Sequence, residues 1–297
     1  MLSQARRSVM IGTGFALVGA ALYGMNVPAA RFASQAGMAG ADLIAWRAVL
    51  FLPILVVAAL VTGERLALRP AERAPTARLA ISASLTATFY LSSVDHLPVP
   101  IAVVLFYMFP LFIILLSSRI DGKRISAVQM GVFATAFVGL VVAVGPSLAG
   151  LSPYGIALAG AAAIACAFMF IFAGRVDNAP IRNAFWTQLV MGPVALLFTL
   201  TQGGPVSISV FWAAPIAIAI AMLAYCAAYI FQLMASARIS ADRAGLLFLF
   251  EPVTAVACAG LWLGETLSPL QIGGVVLILM ALAAEITLGT RESFPDS

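Results

Sequence analysis

Charge is what this 297-residue chain has least of: Asp, Glu, Lys and Arg make up 9% of it, against roughly a quarter of a typical soluble domain. That scarcity excludes an ordinary water-facing surface. Histidine occurs once, as His96, and cysteine three times. Cys166, Cys226 and Cys258 stand singly inside apolar stretches, with no CxxC pair and no ligand spacing, so no metal site and no cofactor are predicted. They read as small packing residues. Basic residues are spread along short loops rather than gathered in a patch, which points away from nucleic acid. A cleavable leader is not predicted either. The first apolar stretch follows Arg6 and Arg7 but runs too long and lacks a small-residue cleavage pattern.

What the chain has instead is apolar length. It is 63% hydrophobic, with a mean hydropathy of +1.06, and a helix needs about 20 apolar residues to cross a bilayer. Ten such blocks are predicted, near 9–30, 42–62, 77–95, 98–118, 126–145, 153–174, 182–201, 208–236, 243–263 and 269–289. Ten spans put both termini on one side. That side then carries 14 of the 16 basic residues, including Arg65, Arg69, Arg73, Arg78, Arg119, Lys123, Arg124, Arg175, Arg182, Arg238 and Arg243. Arg31 and Arg47 flank the first opposite turn, and the remaining opposite loops, around Asp95, 145–153, 203–207 and Glu265, have neither Lys nor Arg. The positive-inside rule places both termini in the cytoplasm.

The chain also repeats itself. At an offset of 142, Ala102, Leu105, Phe106, Pro110, Gly122, Ser126, Gln129 and Gly131 match Ala244, Leu247, Phe248, Pro252, Gly264, Ser268, Gln271 and Gly273. A weaker echo pairs Gly14, Ala16 and Leu17 with Gly155, Ala157 and Leu158, and Trp46 and Pro53 with Trp186 and Pro193. The halves, 1–147 and 148–297, hold five spans each. Five is odd, so the second half enters the membrane from the other side. The predicted fold is therefore an all-α polytopic membrane protein, ten transmembrane helices as two inverted five-helix repeats around a central cavity. Pro110 and Pro252 are hinge candidates, because each removes a helical hydrogen bond. Gly12, Gly14, Gly19 and Gly24 in the first span, and Ala255, Ala259, Gly260 and Gly264 in the ninth, mark close helix approaches.

The run from Phe250-Glu251-Pro252 through Leu263-Gly264-Glu265-Thr266-Leu267-Ser268, followed by Gln271 and Gly273, resembles the EamA-type repeat of the drug/metabolite transporter superfamily. The resemblance covers nearly the whole chain. The first copy departs from it, with Gly122-Lys123 where the second has Gly264-Glu265. Within the superfamily the pattern is nearest to bacterial exporters of amino acids, aromatic ones favoured. The resemblance implies a basket of helices in the bacterial inner membrane that moves substrate out of the cytoplasm.

Side chains costly to place in lipid nominate the site. Glu251 lies about eight residues into the ninth span, ~12 Å deep at 1.5 Å per residue, where an unpaired charge costs several kcal/mol. It reads either as a proton or substrate-amine partner facing the cavity, or as a carboxyl that fixes packing beside Pro252. Tyr225, Tyr229, Gln232 and Ser236 fall on one helix face, which lipid would not select. Tyr23 and Asn26 form a one-turn pair. Ser82, Thr86, Phe89, Ser93 and His96, with Tyr90 beside them, make a looser stripe, and Trp46, Tyr107, Trp186 and Gln188 complete the candidates. Such a cavity, rich in rings and poor in fixed charge, suits a small amphipathic solute. Away from it, His96 reads as a solvated loop residue or a proton relay. Arg31 and Arg47, with Asp42 between them, read as outer-face groups that pair, snorkel or gate, and Glu285 as a snorkelling carboxylate.

The predicted activity is export of a small molecule by alternating access, with the substrate and the lipid bilayer as partners and one copy sufficient. Alternatives are a carrier of drugs or other metabolites, a channel-like facilitator and a membrane-embedded enzyme. The enzyme reading is the weakest, for want of clustered acids, bases and nucleophiles.

Overall fold

The computed structural model describes residues 2–38, 40–94, 96–122, 124–145, 151–201, 207–264 and 266–293. Asp95, Lys123 and Glu265 lie outside them. Among the described residues the chain is all-helical: α1 (Leu2–Gln35), α2 (Gly40–Thr62), α3 (Pro70–Val94), α4 (Val99–Phe106), α5 (Phe109–Asp121), α6 (Ala127–Val144), α7 (Pro153–Ala173), α8 (Pro180–Thr201), α9 (Pro215–Ser236), α10 (Ala241–Leu247), α11 (Glu251–Leu263) and α12 (Pro269–Ser293). Eight helical segments are long and apolar enough to cross a membrane, with α4–α5 and α10–α11 each counted as one. α3 and α8, at 25 and 22 residues, are long enough to span but more polar. Large aliphatic side chains face outward, Leu60, Val61 and Leu261 being 78, 81 and 82% exposed. That surface is at home only in lipid.

The fourth and ninth predicted spans are not continuous helices. α4 ends at Phe106 and α5 begins at Phe109, with Pro110 in its first turn. α10 ends at Leu247, a 3-10 turn covers Phe248–Phe250, and α11 opens with Glu251 and Pro252. Both breaks fall just before the repeated proline, whose missing N–H is harmless in a first turn and disruptive inside a helix. The freed groups are met by tightened i→i+3 bonding: the Met108 amide donates to the Leu105 carbonyl at 3.2 Å. Gly122 and Gly264 close α5 and α11 in the left-handed region, each at φ +66°. The predicted 208–236 helix likewise divides into a 3-10 turn, Ile208–Trp212, and α9.

Neighbours are exchanged between the halves. α1 runs along α9 as α7 runs along α3. α11 lies on α1 as α4 and α5 lie on α7, while α2 pairs with α8 and α6 with α12. One counterpart pair breaks the pattern: α3 packs along α8, but α2 and α9 barely touch.

Small residues permit the closest crossings. A Cβ on Gly24 would collide with the Thr254 hydroxyl and sit 2.6 Å from the Glu251 carbonyl oxygen, so α1 meets α11 backbone to backbone. Gly139 and Gly274 do the same for α6 and α12, a Cβ on Gly139 falling 2.7 Å from the Gly274 carbonyl oxygen. Gly12 and Gly19 are also in tight contact, whereas Gly14 faces open space and is not a packing glycine. Glu285 does not snorkel. It is 1% exposed and lies 3.9 Å from the Arg243 Nε, a buried ion pair in which loss of either partner would leave the other charge uncompensated.

These contacts separate two glycines on one helix. Gly24→Ala is expected to cost about 1–3 kcal/mol, as overpacking does, and to lower the thermal midpoint in detergent. Gly14→Ala, with nothing to strike and a better helix former, is expected to hold or raise it.

Candidate substrate cavity

Glu251 enters the bundle where the α10–α11 segment breaks, so its position is fixed by the Phe248–Phe250 turn and by Pro252. It keeps part of its surface accessible although the bundle surrounds it, and the candidate cavity is centred on it for that reason. The side chains within its electrostatic reach come from five segments: Tyr23 of α1, Tyr90 of α3, Tyr107 at the end of α4, Cys166 of α7 and Tyr225 of α9. Tyr107 turns its hydroxyl toward the carboxylate. Tyrosine suits this role, since its ring packs in an apolar wall while its hydroxyl reaches the polar centre.

Tyr23 joins two walls. Its hydroxyl donates to the Gln232 Oε1 at 2.9 Å, and its ring meets that of Tyr225 edge-on at 5.0 Å. A chain of rings continues behind Glu251: Tyr90 against Phe106 at 4.9 Å, Phe106 against Phe109 at 5.5 Å, Phe109 stacked on Phe170 at 5.4 Å, and Phe170 against Phe248 at 5.1 Å. Arg47, predicted at the outer face, is instead turned inward. It is 3% exposed, and its guanidinium carbon sits 3.3 Å from the centroid of the Tyr225 ring. Its Nη2 reaches the Met191 sulfur at 3.8 Å, and its Nε has no hydrogen-bond partner.

The twelve predicted site residues therefore divide. Tyr23, Tyr90, Tyr107, Tyr225, Gln232 and Glu251 gather at the cavity, and Phe89 and Asn26 are partly accessible on the helices that line it. Tyr229 is buried and donates to the Thr187 hydroxyl at 3.0 Å, tying α9 to α8. Gln188 is fully buried with both amide atoms unpartnered. Trp46 sits against Phe211 at 5.2 Å, in a cleft of about 490 Å³ between the sparsely touching α2 and α9. Trp186 lies near the start of α8, its indole donating to the Leu66 carbonyl at 2.7 Å, away from the cavity. The α3 hydroxyls are spent on their own helix, Ser82 and Thr86 donating to the Arg78 and Ser82 carbonyls at 2.8 Å. His96 is exposed, 5.1 Å from the Tyr154 ring. Sequence reasoning missed Phe106, Phe109, Phe170 and Phe248, whose apolar character marks them only as core. It also misplaced Arg47, although a lone arginine within an apolar run was a signal.

The EamA-like transporter family model matches residues 10–145 and again 153–284. The chain belongs to the EamA-like transporter family. This EamA-like chain is 28% identical over 208 residues to the threonine/homoserine exporter RhtA of Escherichia coli K12, covering 69% of this chain and 68% of that protein. An uncharacterized transporter of Archaeoglobus fulgidus is 28% identical over 218 residues, covering 69% of this chain and 74% of that one. One crystal structure superposes with a TM-score of 0.77 at 19% identity, over 95% of this chain and 98% of its own, which shows the shared fold.

This EamA-like transporter is latched at its arginine-rich end. The Arg182 amide donates to the Glu64 carboxylate at 2.7 Å. Its guanidinium lies 3.4 Å from the Glu72 carboxylate and 3.3 Å from that of Asp177. The loop after α2 and the start of α3 are thereby tied to the start of α8, across the two halves. The Arg69 amide, donating to Glu72 at 2.7 Å, holds that carboxyl below the usual carboxylate range, and the Arg182 guanidinium adds to the effect. A carboxyl with a depressed folded-state value stabilises above its unfolded value and loses that contribution as pH falls through the folded one. Glu72→Gln is expected to lower the thermal midpoint at neutral pH, with the gap to the parent chain closing in acid below the carboxylate range. A gap independent of pH would show that the latch does not depend on the Glu72 charge.

Proposed function

We propose that this transporter exports amino acids by alternating access, the two five-helix halves, 1–147 and 148–297, exchanging conformations about the cavity around Glu251. The observation that carries the reading is a carboxylate at a helix break inside the bundle, with Tyr107 beside it and Tyr23, Tyr90 and Tyr225 in its surroundings. A carboxylate there can take a substrate ammonium or a proton but has little reason to hold both at once, and this competition couples export of an amine to proton entry. The likeness to the threonine/homoserine exporter RhtA supports an amino-acid substrate. The ring-rich walls support apolar or aromatic side chains alongside such small ones. Both termini and the Arg182 latch face the cytoplasm of a bacterial cell in this reading, following the arginine distribution of the loops.

Purified protein in liposomes is expected to catalyse saturable counterflow of an amino acid from a panel of phenylalanine, tryptophan, threonine and homoserine, with trans-stimulation. Linear, unsaturable flux would replace the carrier by a channel. Glu251→Gln is expected to abolish the pH dependence of net export and cut its rate at least tenfold while the thermal midpoint stays near that of the parent. A fall in yield and midpoint with transport per folded molecule unchanged would assign Glu251 to packing instead. An alkaline-phosphatase fusion at the C-terminus that is active in cells would overturn the orientation.

A further inference from the structure

The α2–α9 cleft and Arg47 have no role in the reading above. The cleft lies where the counterpart contact, α3 on α8, is tight, so it is an opening between the halves rather than a packing defect. Its walls are apolar, including Leu50, Phe51, Ile54, Met222 and Leu223, and among the described residues Arg47 is the one charged residue that lines it. A guanidinium stays charged in a protein, and placing it at bilayer depth is costly without an anionic partner. Among the described residues Arg47 has a ring face and a thioether as its contacts, and its buried Nε is unsatisfied. Arg47 lies against Tyr225, the Tyr225 ring meets that of Tyr23, and Gly24, next to Tyr23 on α1, meets the Glu251 backbone. Cation and carboxylate therefore lie on either side of one tyrosine pair.

We infer that Arg47 binds the carboxylate of the substrate, that Glu251 takes its ammonium, and that the α2–α9 cleft receives its apolar side chain. The inference rests on the amino-acid reading and narrows it to zwitterions with a bulky apolar side chain. About 490 Å³ is at the lower end of the size of small-molecule pockets, and its lining offers a side chain dispersion contacts but almost no polar competitor. The flat guanidinium, already stacked on Tyr225, presents its edge N–H groups for two parallel bonds to a carboxylate, a geometry lysine cannot reproduce.

The test is competition in proteoliposome counterflow of labelled phenylalanine, with phenylalanine, its amide and phenethylamine as competitors. The parent protein is expected to bind the acid at least tenfold better than the amide or the amine, as loss of a charge-assisted pair implies. In Arg47→Gln that preference is expected to fall to about twofold or less, with Arg47→Lys between. Ala219→Phe, which narrows the cleft from its α9 wall, is expected to weaken phenylalanine at least fivefold relative to alanine. If Arg47→Gln does not fold, Arg47→Lys and Ala219→Phe carry the test. Equal competition by acid and amide in the parent, or a preference that survives both Arg47 substitutions, would overturn the assignment. So would counterflow that depends on vesicle phosphatidylglycerol through Arg47 alone, which would make the anion a lipid phosphate. Absence of counterflow for every amino acid in the parent would instead sink the amino-acid reading itself.

Discussion

A carboxylate inside a hydrocarbon slab has to be provided for by its surroundings, and much of this structure can be traced to how Glu251 is housed. Its backbone is fixed from outside the segment, because Gly24 of α1 touches the Glu251 carbonyl oxygen closely enough to forbid a Cβ. Its own segment is broken at that point, so the carboxyl starts a helix rather than interrupting one. A helix start carries positive partial charge, which favours an acid there. The tyrosines then supply hydroxyls at the centre while their rings maintain an apolar wall. Replacing the rings with serine or asparagine would keep the polarity and lose the wall.

The same repeat position in the first half shows what the scaffold does without a carboxylate. Phe109 opens α5 as Glu251 opens α11, with Pro110 and Pro252 following each. Phe109 is 2% exposed and stacks on Phe170 with planes 11° apart. One half thus fills its break with an aromatic stack, and the other opens its break to a cavity. The duplicated element is the break itself, and the carboxylate stands in one copy. The latch follows the same logic of shared frame and unequal equipment. Arg182 ties the halves with charge at the arginine-rich end, while at the opposite end Trp46 and Phe211 meet through rings alone.

The spans were legible because apolar length is a one-dimensional property, and the proline positions were legible because the repeat printed them twice. What each proline does was not. A proline inside an apolar run can kink a helix or begin a new one, and the outcome depends on the tight turn at Phe248–Phe250, which nothing local in the sequence marks. The α9 stripe was readable from its spacing, yet its four members serve different ends. Tyr225 and Gln232 meet Tyr23, whereas Tyr229 is spent on Thr187. Arg47 was misread because a helix that is apolar on every face gives no phase, so the side on which its arginine falls is decided by packing against α9 and α8. The Arg182 latch was invisible for a different reason. Its acids, Glu64, Glu72 and Asp177, come from two loops and a helix start, and spacing along the chain does not encode how those meet.

The unequal pairs, α3 on α8 and α2 off α9, bear on how the proposed cycle is driven. Inverted halves that exchange roles interconvert two states by closing one such seam as the other opens. In this state the closed seam is reinforced by the Arg182 latch, and Arg47, 3% exposed, lines the open one. Opening the first seam separates charges at the membrane surface, where water can solvate each of them once they part. Closing the second over an empty cleft would take from the Arg47 charge what contact with the cleft it still has and give no anion in exchange, which is expensive. A carboxylate-bearing solute removes that penalty on one side of the cycle only. The barrier to exchange is then lowest for the loaded protein, and leak through the empty one is suppressed by the cost of an unpaired arginine.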